Sequence, residues 1–485
     1  MRIRRGVVVS TCFALVGFSL SMTAPTVAAT AGSSPRPVPA AIGHVVNATL
    51  SFPPDTQYCQ TNLGISCYQP AQYQQAYNLK PLFDRGLNGA GRTIVIVDAF
   101  GSPTISADLK HFDQTFKLPD PPSLKVIQPA GAVPLYPGDP FGAADRSGWA
   151  VETTLDVEWA HVMAPGANIL LVETPVSETE GVQGFPEIVK AENYVIDHHL
   201  GDVITQSFGA TEETFPSKQS ILNLRSALIN ARQHKITVLA SSGDAGSTDA
   251  LADMSCCFSH RVNSWPSSDP LVTSVGGTQL HLDAAGNRLA PDNVWNDIAV
   301  FGPDGGAGGG GTSHVFARPD FQDRVKKVVG SARGTPDVSM SAAVNGAAVF
   351  YYSFCDYSRV DPSTASPPLC GPQWHLVGGT SEASPLLAGV IAIADQAAEH
   401  RLGWLNPALY RLAGPASNRG GIIDITAGTN TYIFCSAHCG AATEVDTTVP
   451  GFQARQGYDL SSGLGTIDAT AFVAALSRDG KGLRH

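Results

Sequence analysis

The chain has 485 residues, among them 49 Gly and 34 Pro, with 15% charged residues and a formal net charge of -11. That length holds one large domain or two ordinary ones, and the composition is that of a loop-rich globular protein, which excludes a coiled coil and a disordered chain. The acidic balance excludes a nucleic-acid partner, because beyond the Arg-Ile-Arg-Arg of residues 2–5 no basic cluster offers a face to phosphates.

In chain order, the basic start is followed by the apolar run GVVVSTCFALVGFSL and then by the small residues of TAPTVAATAG. Together they predict a secretory signal peptide over residues 1–31, cleaved after Ala29 or Ala31. The apolar run is too short for a membrane anchor, so a secreted, extracellular protein is expected. Removing the signal removes Cys12 and leaves eight cysteines, an even number suited to disulfides in an oxidising compartment. Spacing suggests Cys59 with Cys67, Cys355 with Cys370 and Cys435 with Cys439, leaving the adjacent Cys256 and Cys257. A zinc site at CSAHC ranks below a disulfide, since a second ligand pair is missing. Asn47-Ala48-Thr49 is a glycosylation sequon if the host modifies such sites.

Residues 32–66, rich in Pro, Ala, Ser and Thr, read as an irregular N-terminal extension, and the globular pattern of 67–485 follows. RTIVIVDAF predicts a buried strand, SADLKHFDQTF a helix, SLKVIQP a strand and WAVETTLDVEWAHVMAP a helix. ANILLVETP, DVITQSFGA and ITVLASSGD continue as strands, with helical SKQSILNLRSALINARQHK among them. Such alternation predicts a doubly wound α/β fold, a mainly parallel sheet with helices on both faces and active-site loops at the carboxyl ends of its strands. After about Gly420 the chain is Gly/Thr/Asp-rich and short of helices.

Four residues carry candidate chemistry. Glu152 and Asp156 stand four apart, so a helix puts both carboxyls on one face, where two acids so close cannot easily both ionise. The competing reading is a solvated helix face, against which stand the apolar neighbours Trp149, Ala150, Leu155 and Ala160. Asp244 in SSGDAG sits at a strand tip; it is either a turn aspartate or, protonated, a donor to an oxyanion. Ser381 in GGTSEASPLLAGV is either the N-cap of the helix that follows or a nucleophile at its mouth, which requires an adjacent base.

Five segments together make the chain similar to the sedolisin family of serine-carboxyl peptidases. They are W-x-x-E-x-x-x-D at Trp149, Glu152 and Asp156; SSGDAG with Asp244; WPSSDPLVTSVGGT from Trp265; GGGTSHVFARPDFQ from Gly309; and GGTSEASP with Ser381. They occur in the family's order and at similar spacing. The resemblance implies a subtilisin-like fold and a serine-type endopeptidase acting on proteins or peptides in acid. In it Ser381 is the nucleophile, Glu152 the general base, Asp156 its proton-sharing partner, and Asp244 completes the oxyanion hole. Tripeptide release from N-termini also exists in the family. The resemblance further implies one structural calcium ion, held by the carboxylates of Asp424 and Asp459 and by carbonyls of Ile425, Arg455 and Gly457 in a C-terminal loop region. Arg455 stands where the family usually has Gly. A large propeptide is usual in the family, whereas only a short extension is expected between signal and catalytic region here. A monomer is expected.

Three rivals are weaker. A Ser/His/Asp protease would draft Asp98 and His161, but the sequence has no His-Gly-Thr-His segment, and His161 reads as an ordinary helix residue. No Gly-x-Ser-x-Gly elbow supports an α/β-hydrolase, and Ser313, in a second Gly-Thr-Ser, reads as a loop residue. A catalytically silent secreted binding protein on the same fold remains the reading from a different class.

Overall fold

The computed structural model describes residues 44–45, 50–134, 143–253, 255–303, 305–354, 371–413, 420–435 and 446–482. They lie within the compact unit Pro37–His485. The expected signal peptide, the Asn47 sequon, Cys355, Cys370, Cys439 and the side chain of Cys435 fall outside the described residues.

The eight strands of the main sheet, in chain order, are β1 (Thr93–Ala99), β2 (Leu124–Ile127), β3 (Asn168–Thr174), β4 (Val203–Gln206), β5 (Thr237–Ser241), β6 (Thr273–Gln279), β7 (Asn293–Val294) and β8 (Val338–Ser341). Their spatial order is β7-β6-β5-β4-β1-β3-β2, with β8 also paired to β6. All pairings are parallel except β6 with β7. The apolar run of β1 shows why both faces are covered, because successive side chains point to opposite sides of a strand. Ile94 and Ile96 join one buried cluster, with residues of helices α4 (Ala143–Met163), α7 (Thr380–Ala398) and α8 (Ala469–Gly482). Val95 and Val97 join the other, with α5 (Phe185–Asp197) and α6 (Ser226–Gln233).

Preceding these come α1 (Thr56–Asn62), α2 (Pro70–Ala76) and α3 (Ile105–Phe116). A second sheet joins His44–Val45, Gln373–Gly378 (β10), Ala347–Tyr352 (β9) and Cys67–Tyr68 in that order. Strand β10 feeds directly into α7, so the Ser381 turn is held from behind by a paired strand.

Three sequence expectations change. The region from 32 to 66 is not wholly irregular: Asp55 caps α1, and the Cys59–Cys67 disulfide ties that helix to the strand at Cys67–Tyr68. Cys256 and Cys257 pair with each other. The C-terminal segment does contain a helix, α8, whose Phe472, Val473 and Leu476 are buried in the α4/α7 core; this short amphipathic stripe is easily overlooked beside the Gly-rich loops before it.

Candidate active site

Helix α4 is buried around its whole circumference: Trp149, Ala150, Val151, Leu155, Val157, Trp159, Ala160 and Val162 are all in the core. A helix enclosed on every side has no solvated face, which removes that reading of Glu152 and Asp156. Both carboxyls are fully buried. Burial pushes Asp156 well above the ordinary carboxylate range, the charges of Asp98 and Glu152 push it further, and a hydrogen bond from Ser207 opposes the rise. Asp98, near the end of β1, is pushed up to about 7, chiefly by burial, against the Thr153 hydroxyl and with the charge of Glu173. Three acids thus share one enclosed space, and they cannot all be ionised at once.

Ser381 lies in the first turn of α7 and is fully buried. It is not the cap: that position belongs to Gly379, at φ 133, a backbone conformation that favours glycine. Its neighbour Gly378 has no space for a side chain, since a Cβ there would stand 2.5 Å from the Ala342 carbonyl oxygen. Pro385 sits inside the helix, beyond the first turn. Lacking an N–H, it cannot donate to the carbonyl four residues earlier, that of Ser381. The Ser207 hydroxyl approaches that carbonyl from β4's end. Its Oγ is 3.3 Å from the Ser381 carbonyl oxygen and 3.0 Å from Asp156 Oδ1, so one proton bridges the serine turn and the acid helix. Nearby, Thr205 Oγ1 and Ser384 Oγ are 2.7 Å apart, which fastens β4 to α7 a second time.

Asp244 follows β5 in the Ser242-Gly243-Asp244 turn, with Gly243 at φ 107. Its Oδ1 accepts from the Thr380 backbone N–H at 2.7 Å and from the Thr380 hydroxyl at 2.7 Å. The carboxyl therefore caps the exposed N–H end of α7 directly beside Ser381. A plain turn aspartate needs no such partner across 136 residues of sequence.

The fold thus gathers Glu152, Asp156, Asp244 and Ser381 from α4, the end of β5 and the start of α7. Reading the sequence alone missed Ser207, Thr380 and the contribution of Asp98 to the acid group. The signal available was position: Asp98 lies near the end of β1 and Ser207 follows β4 in the parallel sheet, while Thr380 follows β10 of the second sheet.

The rival assignments fail on contacts. Burial lowers the His161 pKa to about 4, so the ring is neutral above that pH; its Nε2 is 2.8 Å from the Pro119 carbonyl oxygen and 3.4 Å from Asp113 Oδ1, on the α3 side of α4. Ser313 is not a loop residue but lies in the strand Gly311–Ala317. Its hydroxyl donates to Glu212 at 2.5 Å and accepts from the N–H groups of Val315 and Phe316, a structural set with no base beyond Glu212, whose other partners are Ser268 and the His314 N–H.

In the C-terminal loops, Asp424 Oδ2 accepts from the Gly457 N–H at 2.8 Å, and Asp459 Oδ2 from the Arg455 N–H at 2.8 Å. Asp459 Oδ1 takes the N–H and hydroxyl groups of Ser461 and Ser462. Arg455 is not in the left-handed region, whereas Gly457, at φ 84, is, so the backbone imposes no glycine at 455. No group of three or more His, Cys, Asp or Glu side chains suited to a metal occurs among the described residues. A cation there would rest on two carboxylates and on carbonyls, a donor set that suits calcium and not zinc.

Comparison with known proteins follows the same lines. The family model for the subtilase family matches residues 147–413. Kumamolisin of Bacillus sp. (strain MN-32) is 29% identical over 417 residues, covering 85% of this chain and 64% of its own length. Human tripeptidyl-peptidase 1 is 28% identical over 350 residues, covering 69% of this chain and 53% of its own length. The chain therefore spans between half and two thirds of these relatives. Among solved structures, Pseudomonas sedolisin, a serine-carboxyl proteinase complexed with two molecules of pseudo-iodotyrostatin, has a TM-score of 0.65 at 22% identity and covers 86% of this chain and 99% of its own. That likeness establishes the subtilisin-like α/β fold.

Proposed function

The chain belongs to the subtilase family, on its sedolisin branch, and from that premise we propose that it is a secreted serine-carboxyl endopeptidase acting on proteins or peptides in acid. The observation that carries the reading is the Ser207 bridge, which couples the buried Glu152/Asp156 helix to the turn bearing Ser381.

Glu152 takes the Ser381 Oγ proton as Oγ bonds to the carbonyl carbon of the scissile peptide. Asp156 keeps its own proton in acid, because burial and its neighbours hold its pKa high, and it shares that proton with Glu152. Negative charge develops on the carbonyl oxygen, where the Ser381 N–H and a protonated Asp244 donate. With Oδ1 occupied by Thr380, Oδ2 is the Asp244 oxygen that carries the proton. Glu152 then gives its proton to the departing amine as the C–N bond breaks. In the second half a water loses its proton to Glu152, attacks the acyl carbon, and Ser381 regains its hydrogen as the acid leaves. Glu152 must be ionised while Asp156 and Asp244 stay protonated, which confines the chemistry to acid.

Proteolysis of an unfolded protein from pH 2 to 8, comparing wild type with Ser381→Ala, tests this. Activity confined to acid and absent from the variant is expected; folded wild type without activity at any pH would favour a silent binding protein. The similarity to tripeptidyl-peptidase 1 favours a second reading, tripeptide release. A peptide with a blocked N-terminus separates the two, since only an endopeptidase cleaves it.

We also propose one structural calcium ion at Asp424 and Asp459, with carbonyls of Ile425, Arg455 and Gly457. Both acids serve one loop, Asp424 taking the Gly457 N–H and Asp459 the Arg455 N–H two residues before it, and this convergence of two carboxylates supports the reading.

A further inference from the structure

Immediately after the serine, Glu382 is a second acid in the turn, one that the mechanism above does not use. It is fully buried, and the Tyr73 hydroxyl of α2 donates to its Oε1 at 2.5 Å. The same hydroxyl lies 3.1 Å from Ser341 Oγ at the end of β8. The Tyr73 ring is itself fully buried, and its centroid is 4.3 Å from that of Trp159. Trp159 follows Glu152 and Asp156 by seven and three residues, so all three form one stripe of α4. Tyr73 therefore touches both the acid stripe, through Trp159, and the serine turn, through Glu382.

From these contacts we propose that the Tyr73–Glu382 pair is a positioning device, a strut from α2 that fixes the first turn of α7 against the acid stripe of α4 and so sets the distance from Ser381 to Glu152. The inference rests on the peptidase reading for its catalytic meaning, though not for its geometry. A buried carboxyl suits the task only if it stays neutral, and Glu382 does: burial pushes its pKa up to about 8, with the charge of Asp244 adding and the Tyr73 and Ser341 hydroxyls opposing. A second contact seats α7 further along, where Gly389 lets it approach α4 so closely that a Cβ would stand 2.5 Å from the Met163 Cβ. Glu382 and Tyr73 hold the end of the helix that this contact leaves free, and small displacements there matter because proton transfer depends steeply on geometry.

The test compares Glu382→Gln, Glu382→Ala, Tyr73→Phe and the double variant Tyr73→Phe/Glu382→Ala, with kcat and KM measured separately at acid pH and crystal structures of wild type and Glu382→Ala. Gln reproduces the neutral carboxyl and should stay within roughly threefold of wild type, while Ala and Phe should each lower kcat by about tenfold with KM little changed. The double variant should be no worse than the poorer single, as for two members of one unit. Unchanged kcat in Glu382→Ala and Tyr73→Phe, or additive losses in the double variant, would overturn the proposal. If wild type cleaves nothing at any pH, the peptidase reading fails, and the Ser381 to Glu152 separation then judges the strut: a shift in Glu382→Ala upholds it and an unaltered separation refutes it. Should the Ala variant not fold, Tyr73→Phe, which keeps the ring on Trp159, carries both measurements.

Discussion

Ser207→Ala removes one buried hydroxyl and nothing else. That hydroxyl serves Asp156 and the Ser381 carbonyl, to which Pro385, lacking an N–H, cannot donate. In acid Asp156 is protonated, so both lost bonds join neutral groups, and together they are worth about 1 to 3 kcal/mol. If all of it is lost from the transition state, about 1 to 3 kcal/mol corresponds to roughly a 5- to 160-fold fall in kcat/KM. Because the Ser207 bond lowers the Asp156 pKa, its removal should also move the pH profile of kcat toward higher pH. The assay is steady-state cleavage of a fluorogenic peptide from pH 2 to 7, with denaturant unfolding as a control for lost stability. Activity within about threefold of wild type, on an unshifted profile, would refute the bridging role assigned to this serine.

Glu152→Gln should abolish turnover while His161→Ala retains most of it, as judged by burst and steady-state kinetics; an active Gln variant removes Glu152 as the base. Glu192, buried beneath Gln206 on α5, has its pKa pushed up to about 8 by burial. The folded state thus holds a proton that the unfolded chain releases, and this contribution to stability is complete below about pH 4.5 and is lost as pH rises toward 8. Glu192→Gln should therefore match wild type in stability near pH 4.5 and exceed it by about 3 kcal/mol at pH 7, measured by urea unfolding. Adding a methyl group by Gly389→Ala should push α7 from α4 and destabilise by about 1 to 3 kcal/mol, with equal unfolding midpoints as the contrary result. Chelator should lower the Tm of wild type and leave Asp424→Ala, already lowered, unmoved; if chelator changes neither, the loop holds no calcium.

Local pattern alone determined most of the fold. The continuous apolar runs of β1, β3 and β5, the first two followed by helical periodicity and the third preceded by it, specify a parallel sheet covered on two faces, because such strands must bury both sides. The four candidate site residues were also legible, since each sits in a short segment whose spacing is itself informative: Glu152 and Asp156 at one helical turn, Asp244 at a strand tip, Ser381 after two glycines. What no local pattern contains is partnership across the chain. Whether Glu152 and Asp156 face solvent or a core depended on α4 being enclosed by the sheet, α3 and α7 at once. Ser313 and Ser381 share the same Gly-Thr-Ser context, and only the tertiary neighbours, Glu212 for one and Ser207 with the buried acids for the other, separate a structural hydroxyl from a candidate nucleophile. The same is true of Tyr73 and Glu382, 309 residues apart in sequence and joined by one hydrogen bond. Sequence fixes which groups are present and how they recur along a helix or strand; the order of strands in the sheet decides which of them meet, and burial at the meeting point decides which keep their protons.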